Sequence, residues 1–162
     1  MSSPVNARLF FFTNAGIAIA APVAASVPVL YNPIGSGVIA RVHAVRLGVV
    51  SGTVLAGAIL YGWAQTTFTG VTAGPSPVNA VLGNDASSTL LWYTAATAAA
   101  APASFGPSGV SSGGALAAGP LYYLEDEPDI IIRPGFAFWP LLANTSLGLS
   151  ALVALDVYQS VQ

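Results

Sequence analysis

The chain has 162 residues, 54% of them hydrophobic and only 6% charged, with four Arg, no Lys, six carboxylates, one His and no Cys. One ordinary domain fits this length. A net charge of −2 without a basic stripe excludes phosphate-backbone recognition, and so apolar a chain is not a disordered one. The absence of Cys excludes a disulfide scaffold, a thiolate metal site and a thiol nucleophile.

Membrane insertion is the first question such a composition raises. The best spanning candidate, Leu47 to Ala64, is interrupted by Gly48, Gly52, Gly57 and Gly62, and the other charge-free runs are broken by Pro. A spanning helix is therefore disfavoured. Arg8 followed by Leu9 to Ala25 superficially resembles a signal peptide. Thr13 and Asn14 interrupt its apolar run, so it is read as retained.

The elements, taken along the chain, are mostly strands. Arg8 to Thr13 and Gly16 to Ala20 are two short apolar segments with a tight turn expected at Asn14-Ala15. Asn32 to Gly37 is a Gly/Pro turn cluster. Val38 to Val50 alternates, with small apolar residues on one parity (Val38, Ala40, Val42, Ala44) and polar residues on the other (Arg41, His43). Ser51-Gly52 then predicts a turn, with Thr53 to Gln65 returning as the second strand of a long antiparallel hairpin, and Gly48 and Gly57 as bulge candidates.

Thr72 to Pro77 is a further turn cluster, and Thr89 to Thr94 a strand. Ala95 to Ala103 has the Ala density of a short helix, and residues 104–119 read as a Gly/Ser loop. Asp129 to Arg133 is a strand ended by Pro134-Gly135, and Phe136 to Leu142 another, bent by Pro140. Leu147 to Tyr158 closes the chain, with Leu149, Ala151, Val153, Leu155 and Val157 on one face and Leu152 breaking the pattern. Eight or so antiparallel strands with at most one short helix predict an all-β jelly-roll sandwich. Residues 1–162 are read as this one domain, with an apolar N-terminal segment over about 1–25 of which Leu9 to Ala25 is expected to lie on a neighbouring subunit.

Chemistry is sparse. A Ser-His-Asp triad would require His43, which sits mid-strand and reads as a structural side chain. Glu125-Asp126-Glu127-Pro128-Asp129 gathers four carboxylates, but its spacing fits no calcium loop and predicts a solvated loop without metal. Gly35-Ser36-Gly37 and Ser111 to Gly114 lack the Lys of a phosphate-binding loop. Trp63, Trp92 and Trp139 could stack on a sugar, yet their separation suits a core or an interface. No catalytic, cofactor-binding or metal-binding residue is assigned.

Tyr31-Asn32-Pro33-Ile34-Gly35-Ser36-Gly37 followed by a long apolar strand and Gly48 to Thr53, and Ile130-Ile131-Ile132-Arg133-Pro134-Gly135 followed by the closing strand to Tyr158, resemble small jelly-roll virion proteins of tailed bacteriophages. The resemblance covers residues 29–66 and 129–159 and rests on turn chemistry. It implies a non-enzymatic particle component, a capsid decoration or cement protein, located in the virion and assembled as a homotrimer on the major capsid protein or other virion proteins. A tail, baseplate or fibre module that binds carbohydrate or a receptor is the alternative it leaves open. The low charge agrees independently, because a surface so poor in charge suits interfaces better than a free monomer.

Overall fold

The computed structural model describes residues 8–19, 27–51, 53–81, 87–99, 103–115, 123–127, 129–142 and 149–161. These contain twelve strands and, among the described residues, no helix. They are β1 (Arg8–Ile19), β2 (Val27–Tyr31), β3 (Val38–Ser51), β4 (Thr53–Gln65), β5 (Phe68–Ala73), β6 (Val78–Asn79), β7 (Leu91–Ala98), β8 (Ala103–Ala115), β9 (Tyr123–Asp126), β10 (Ile130–Ile132), β11 (Phe136–Leu142) and β12 (Leu149–Val161).

The strands form two sheets. One has the order β10-β3-β12-β1-β6, with β9 pairing β3 as well; the other has the order β5-β7-β2-β11-β4-β8. All pairings are antiparallel. Because β9 and β10 pair successive stretches of β3, Val45 to Gly48 and Ala40 to Val42, they act as one interrupted strand. Set aside β5 to β7, and the first sheet reads β1, β12, β3, β9/β10 while the second reads β2, β11, β4, β8. That interleaving of the two chain ends is the jelly roll. The strand count exceeds the expected eight because β5, β6 and β7 are inserted between β4 and β8, and because one strand is broken in two.

Alternation builds the core. Phe10 and Phe12 of β1, Val42 and Val45 of β3 and Val153, Leu155 and Val157 of β12 face inward from the first sheet, and Leu30, Tyr61, Trp92 and Phe138 meet them from the second. Each large apolar side chain so buried contributes about 1.5–3 kcal/mol. A second cluster covers the other face of the second sheet, where Tyr31, Phe68 and Tyr93 pack over Val29, Ala64, Ala96, Ala137 and the fully buried Trp139. The Phe68 ring lies 5.3, 6.1 and 6.3 Å from the rings of Tyr31, Tyr93 and Trp139.

Five sequence expectations are corrected. The predicted hairpin is absent: β3 pairs with β9, β10 and β12, and β4 with β8 and β11, so the chain crosses between sheets near Ser51. No turn separates two segments at Asn14-Ala15; β1 continues to Ile19 through a register irregularity between Asn14 and Ile17. Ala95, Ala96 and Ala98 belong to β7, where Ala96 and Ala98 are buried on alternate positions, and residues 100–102 of the expected helix lie outside the described residues. Of the expected loop over 104–119, residues 104–115 belong to β8, held by pairing with β4 over its length, and 116–119 lie outside the described residues. Lastly, the stretch 8–19 is not an arm laid on a neighbour: β1 sits between β12 and β6, with Phe10 and Phe12 in the core. Residues 1–7 and 20–25 of that segment lie outside the described residues.

Candidate functional site

One end of the sandwich carries most of the distinctive geometry. The turn after β2 and the turn between β10 and β11 meet there through Asn32, which is fully buried. Its side-chain amide donates to the carbonyls of Val38 and Ile132, both at 3.0 Å, and its side-chain oxygen accepts from the Ser36 hydroxyl at 2.6 Å. Its backbone N–H donates to the Phe136 carbonyl, and its carbonyl accepts from the Gly135 N–H at 2.7 Å. Gly35, Gly37 and Gly135 all have positive φ, the conformation that side-chain-bearing residues avoid. The two turn motifs singled out in the sequence are thus the two halves of one cap.

Beside this cap lies a cleft of about 450 Å³, bounded by Trp63, by Ile130 to Arg133 and by Phe136 to Phe138. Ile132 and Phe138 are buried and form its floor, whereas Trp63 is 44% and Ile131 63% exposed. The Trp63 and Phe136 rings lie 6.0 Å apart, tilted by 32°. Ile34, also exposed, reaches to Gly135 from the β2–β3 turn: a Cβ on Gly135 would stand 3.2 Å from Ile34 Cγ1.

His43 stacks edge-on against Tyr158, with ring centroids 5.7 Å apart. On the same face, the Arg41 guanidinium grips Asp129 through two hydrogen bonds, Nε to Oδ1 and Nη2 to Oδ2, the latter at 2.7 Å. That hydrogen bonding holds the Asp129 carboxyl below its ordinary range and raises the Arg41 guanidinium further. Arg46 pairs with the largely buried Asp156 at 2.7 Å.

The acidic run is split. Glu125 and Asp126 belong to β9, opposite Arg46 and Val45 of β3, which corrects the expectation of a loop over the whole run. Glu127 and Asp129 fall in the break before β10, and Asp129 adopts a positive φ of 53°. Pro128 lies outside the described residues. Among the described residues, no three His, Asp or Glu converge as metal ligands, and no helix is long and apolar enough to cross a membrane.

The tryptophans do not share a platform. Trp92 and Trp139 are buried, and both indole N–H groups lack a hydrogen-bond partner among the described residues, while Trp63 stands in the cleft. Gly35 to Gly37 serve the cap, and Ser111 to Gly114 run along β8. Asn32 as a central bonding group, and the cleft itself, escaped the sequence reading. The Asn-Pro-Ile-Gly-Ser-Gly run signalled a turn, but not the turn it packs against.

A second surface lies at the opposite edge of the molecule. The insertion adds β6 beside β1 and β7 and β5 beside β2, leaving β5 as a sheet edge among the described residues. From Phe68 to Ala98 the only charged residue is Asp85. Val71, Val78, Val81 and Leu91 on this flank are all exposed large apolar side chains.

Comparison with protein-family models, with curated proteins and with solved structures finds no match.

Proposed function

We propose that the chain is a non-enzymatic structural component of a virus particle, a capsid decoration or cement protein that self-associates as a trimer and packs on the capsid. The observation that carries this reading is the uncharged flank β5 to β7. Sheet edges in monomeric proteins are ordinarily blunted by charge, Pro or cover, because unpaired N–H and C=O groups otherwise recruit another strand. Here the edge strand β5 is exposed along nearly its whole length, Val71 included, and carries no charge, and Val78, Val81 and Leu91 add exposed apolar side chains from β6, the residues after it and β7. The jelly-roll strand order and the turn motifs that resemble phage jelly-roll proteins support the same reading.

Two measurements test it. Sedimentation of the purified protein in detergent-free buffer is expected to give a trimer, and a stable monomer at micromolar concentration overturns the assembly. Density-gradient centrifugation of particles from a culture expressing the gene is expected to place the chain in the particle band. Its confinement to the free-protein fractions overturns the location.

A further inference from the structure

We propose that the cleft beside the Asn32 cap binds a small amphiphile, an apolar chain or ring ending in an anionic group such as a carboxylate. This goes beyond the assembly reading and is physically separate from it. The cleft lies where β10 and β4 approach from the two sheets, whereas β5 and β6 form the opposite edges.

The lining of the cleft is almost wholly apolar. Seven of the eight residues are apolar, and they include two core side chains, Ile132 and Phe138, as a floor. Ligand sites are commonly concave, apolar and about 300–1,000 Å³ in volume, with few polar groups fixing orientation. At about 450 Å³ this cleft falls in that range. Its walls, Trp63 and Ile131, are among the exposed large apolar side chains, so an apolar ligand would remove from water surface that the fold leaves wet.

Charge decides the other end of the ligand. Arg133 is the one charged side chain in the lining. The guanidiniums of Arg41 and Arg46 are taken by Asp129 and Asp156, but Arg133, exposed at the cleft, has no side-chain partner among the described residues. A guanidinium matches a carboxylate through two parallel hydrogen bonds. A sugar is disfavoured, because its hydroxyls need several side-chain partners and this lining offers one.

Trp63 supplies the reporter, since Trp92 and Trp139 are buried. The test is a fluorescence titration of the full chain with octanoate below its micellar concentration, with octanol as the uncharged control. Saturable change with octanoate, weaker binding of octanol and loss of the signal in Trp63→Phe are expected. Arg133→Gln should weaken octanoate roughly tenfold and leave octanol unchanged. Equal affinity for octanoate and octanol in the parent protein overturns the anionic assignment. No saturable change with either overturns the site, and sedimentation of the same samples shows separately whether assembly persists.

Discussion

Asn32 donates its side-chain amide to the carbonyl of Ile132, a residue one hundred positions later, while its own carbonyl receives the N–H of Gly135. One buried side chain thereby ties the β2–β3 turn to the β10–β11 turn and closes one end of the sandwich. Since β2 and β3 lie in different sheets, as do β10 and β11, the same contacts fix how the two sheets meet at that end.

Replacing Asn32 is therefore expected to be costly. Asn32→Ala leaves the carbonyls of Val38 and Ile132 without their donor in a buried setting, and should destabilise the fold by about 2–4 kcal/mol. Asn32→Asp should do at least as much harm, because it puts an acceptor where two carbonyls need donors. Urea denaturation measures both. A loss below about 0.5 kcal/mol for Asn32→Ala would mean that water replaces the amide without penalty.

Much of the fold was legible because alternation and turn chemistry are local signals, and the misreadings have physical causes. In β3 the even positions Val38, Ala40, Val42 and Ala44 are buried, yet Val45 is buried too. The pairing with β12 skips a residue there: Asp156 faces Ala44 and Val157 faces Val42. This bulge switches the inward parity, and Val45 and Arg46 on the unexpected parities were its trace in the sequence. Strand β8 was hidden by Pro107 and its glycines, which an edge position tolerates; the register with β4 shifts around Leu60, the residue facing Pro107. The Ala-rich stretch of β7 misled because alanine favours helices, whereas Ala96 is needed small beneath the Tyr31, Phe68 and Tyr93 cluster. The cleft had no local signal at all, since Trp63 and Arg133 meet only through the sheet order.

The Arg41–Asp129 pair gives a pH dependence of defined sign. The Asp129 carboxyl titrates below its ordinary range when folded, chiefly because Arg41 donates to it. Its contribution to stability is therefore present above the unfolded carboxylate pKa and is lost as pH falls through the lowered folded value. Arg41→Gln should lose that contribution near neutrality, a small loss because the pair is exposed. It should also flatten the acid limb below about pH 4, where parent and variant converge, as urea midpoints across pH can show. An unchanged acid limb in Arg41→Gln would assign the acid sensitivity to other carboxylates.

Gly74 is held to its identity by Trp92. Its N–H donates to the Trp92 carbonyl at 2.8 Å, and a Cβ there would stand 2.8 Å from Nε1 and 3.1 Å from Cγ of the buried indole. Gly74→Ala should therefore displace the ring and cost about 1–3 kcal/mol. Trp92→Leu, itself destabilising, should remove the clash. The double variant is then expected to be less destabilised than the sum of the two single changes, with a coupling of about 1 kcal/mol or more. Strict additivity would show that the indole moves aside freely.

The flank β5 to β7 yields the decisive change for assembly. Thr69 and Val71 are exposed on the edge strand, and Gly70 between them takes a positive φ of 57° where the pairing with β7 is irregular. Pairing with another strand would have to use the outer edge of β5, and a long cation there costs solvation when covered but nothing when left in water. The chain has no Lys anywhere, so Thr69→Lys or Val71→Lys introduces the residue that natural edges use against association. Each variant should keep the far-ultraviolet dichroism and melting temperature of the parent, because neither side chain belongs to the core. Each should shift sedimentation from trimer toward monomer, by at least about tenfold in the association constant. Ile131→Lys, on the opposite edge of the first sheet, serves as the control and should leave the oligomer intact. If Ile131→Lys dissociates the assembly while the β5 variants do not, the contact surface is the cleft end, and the inserted flank has no part in it.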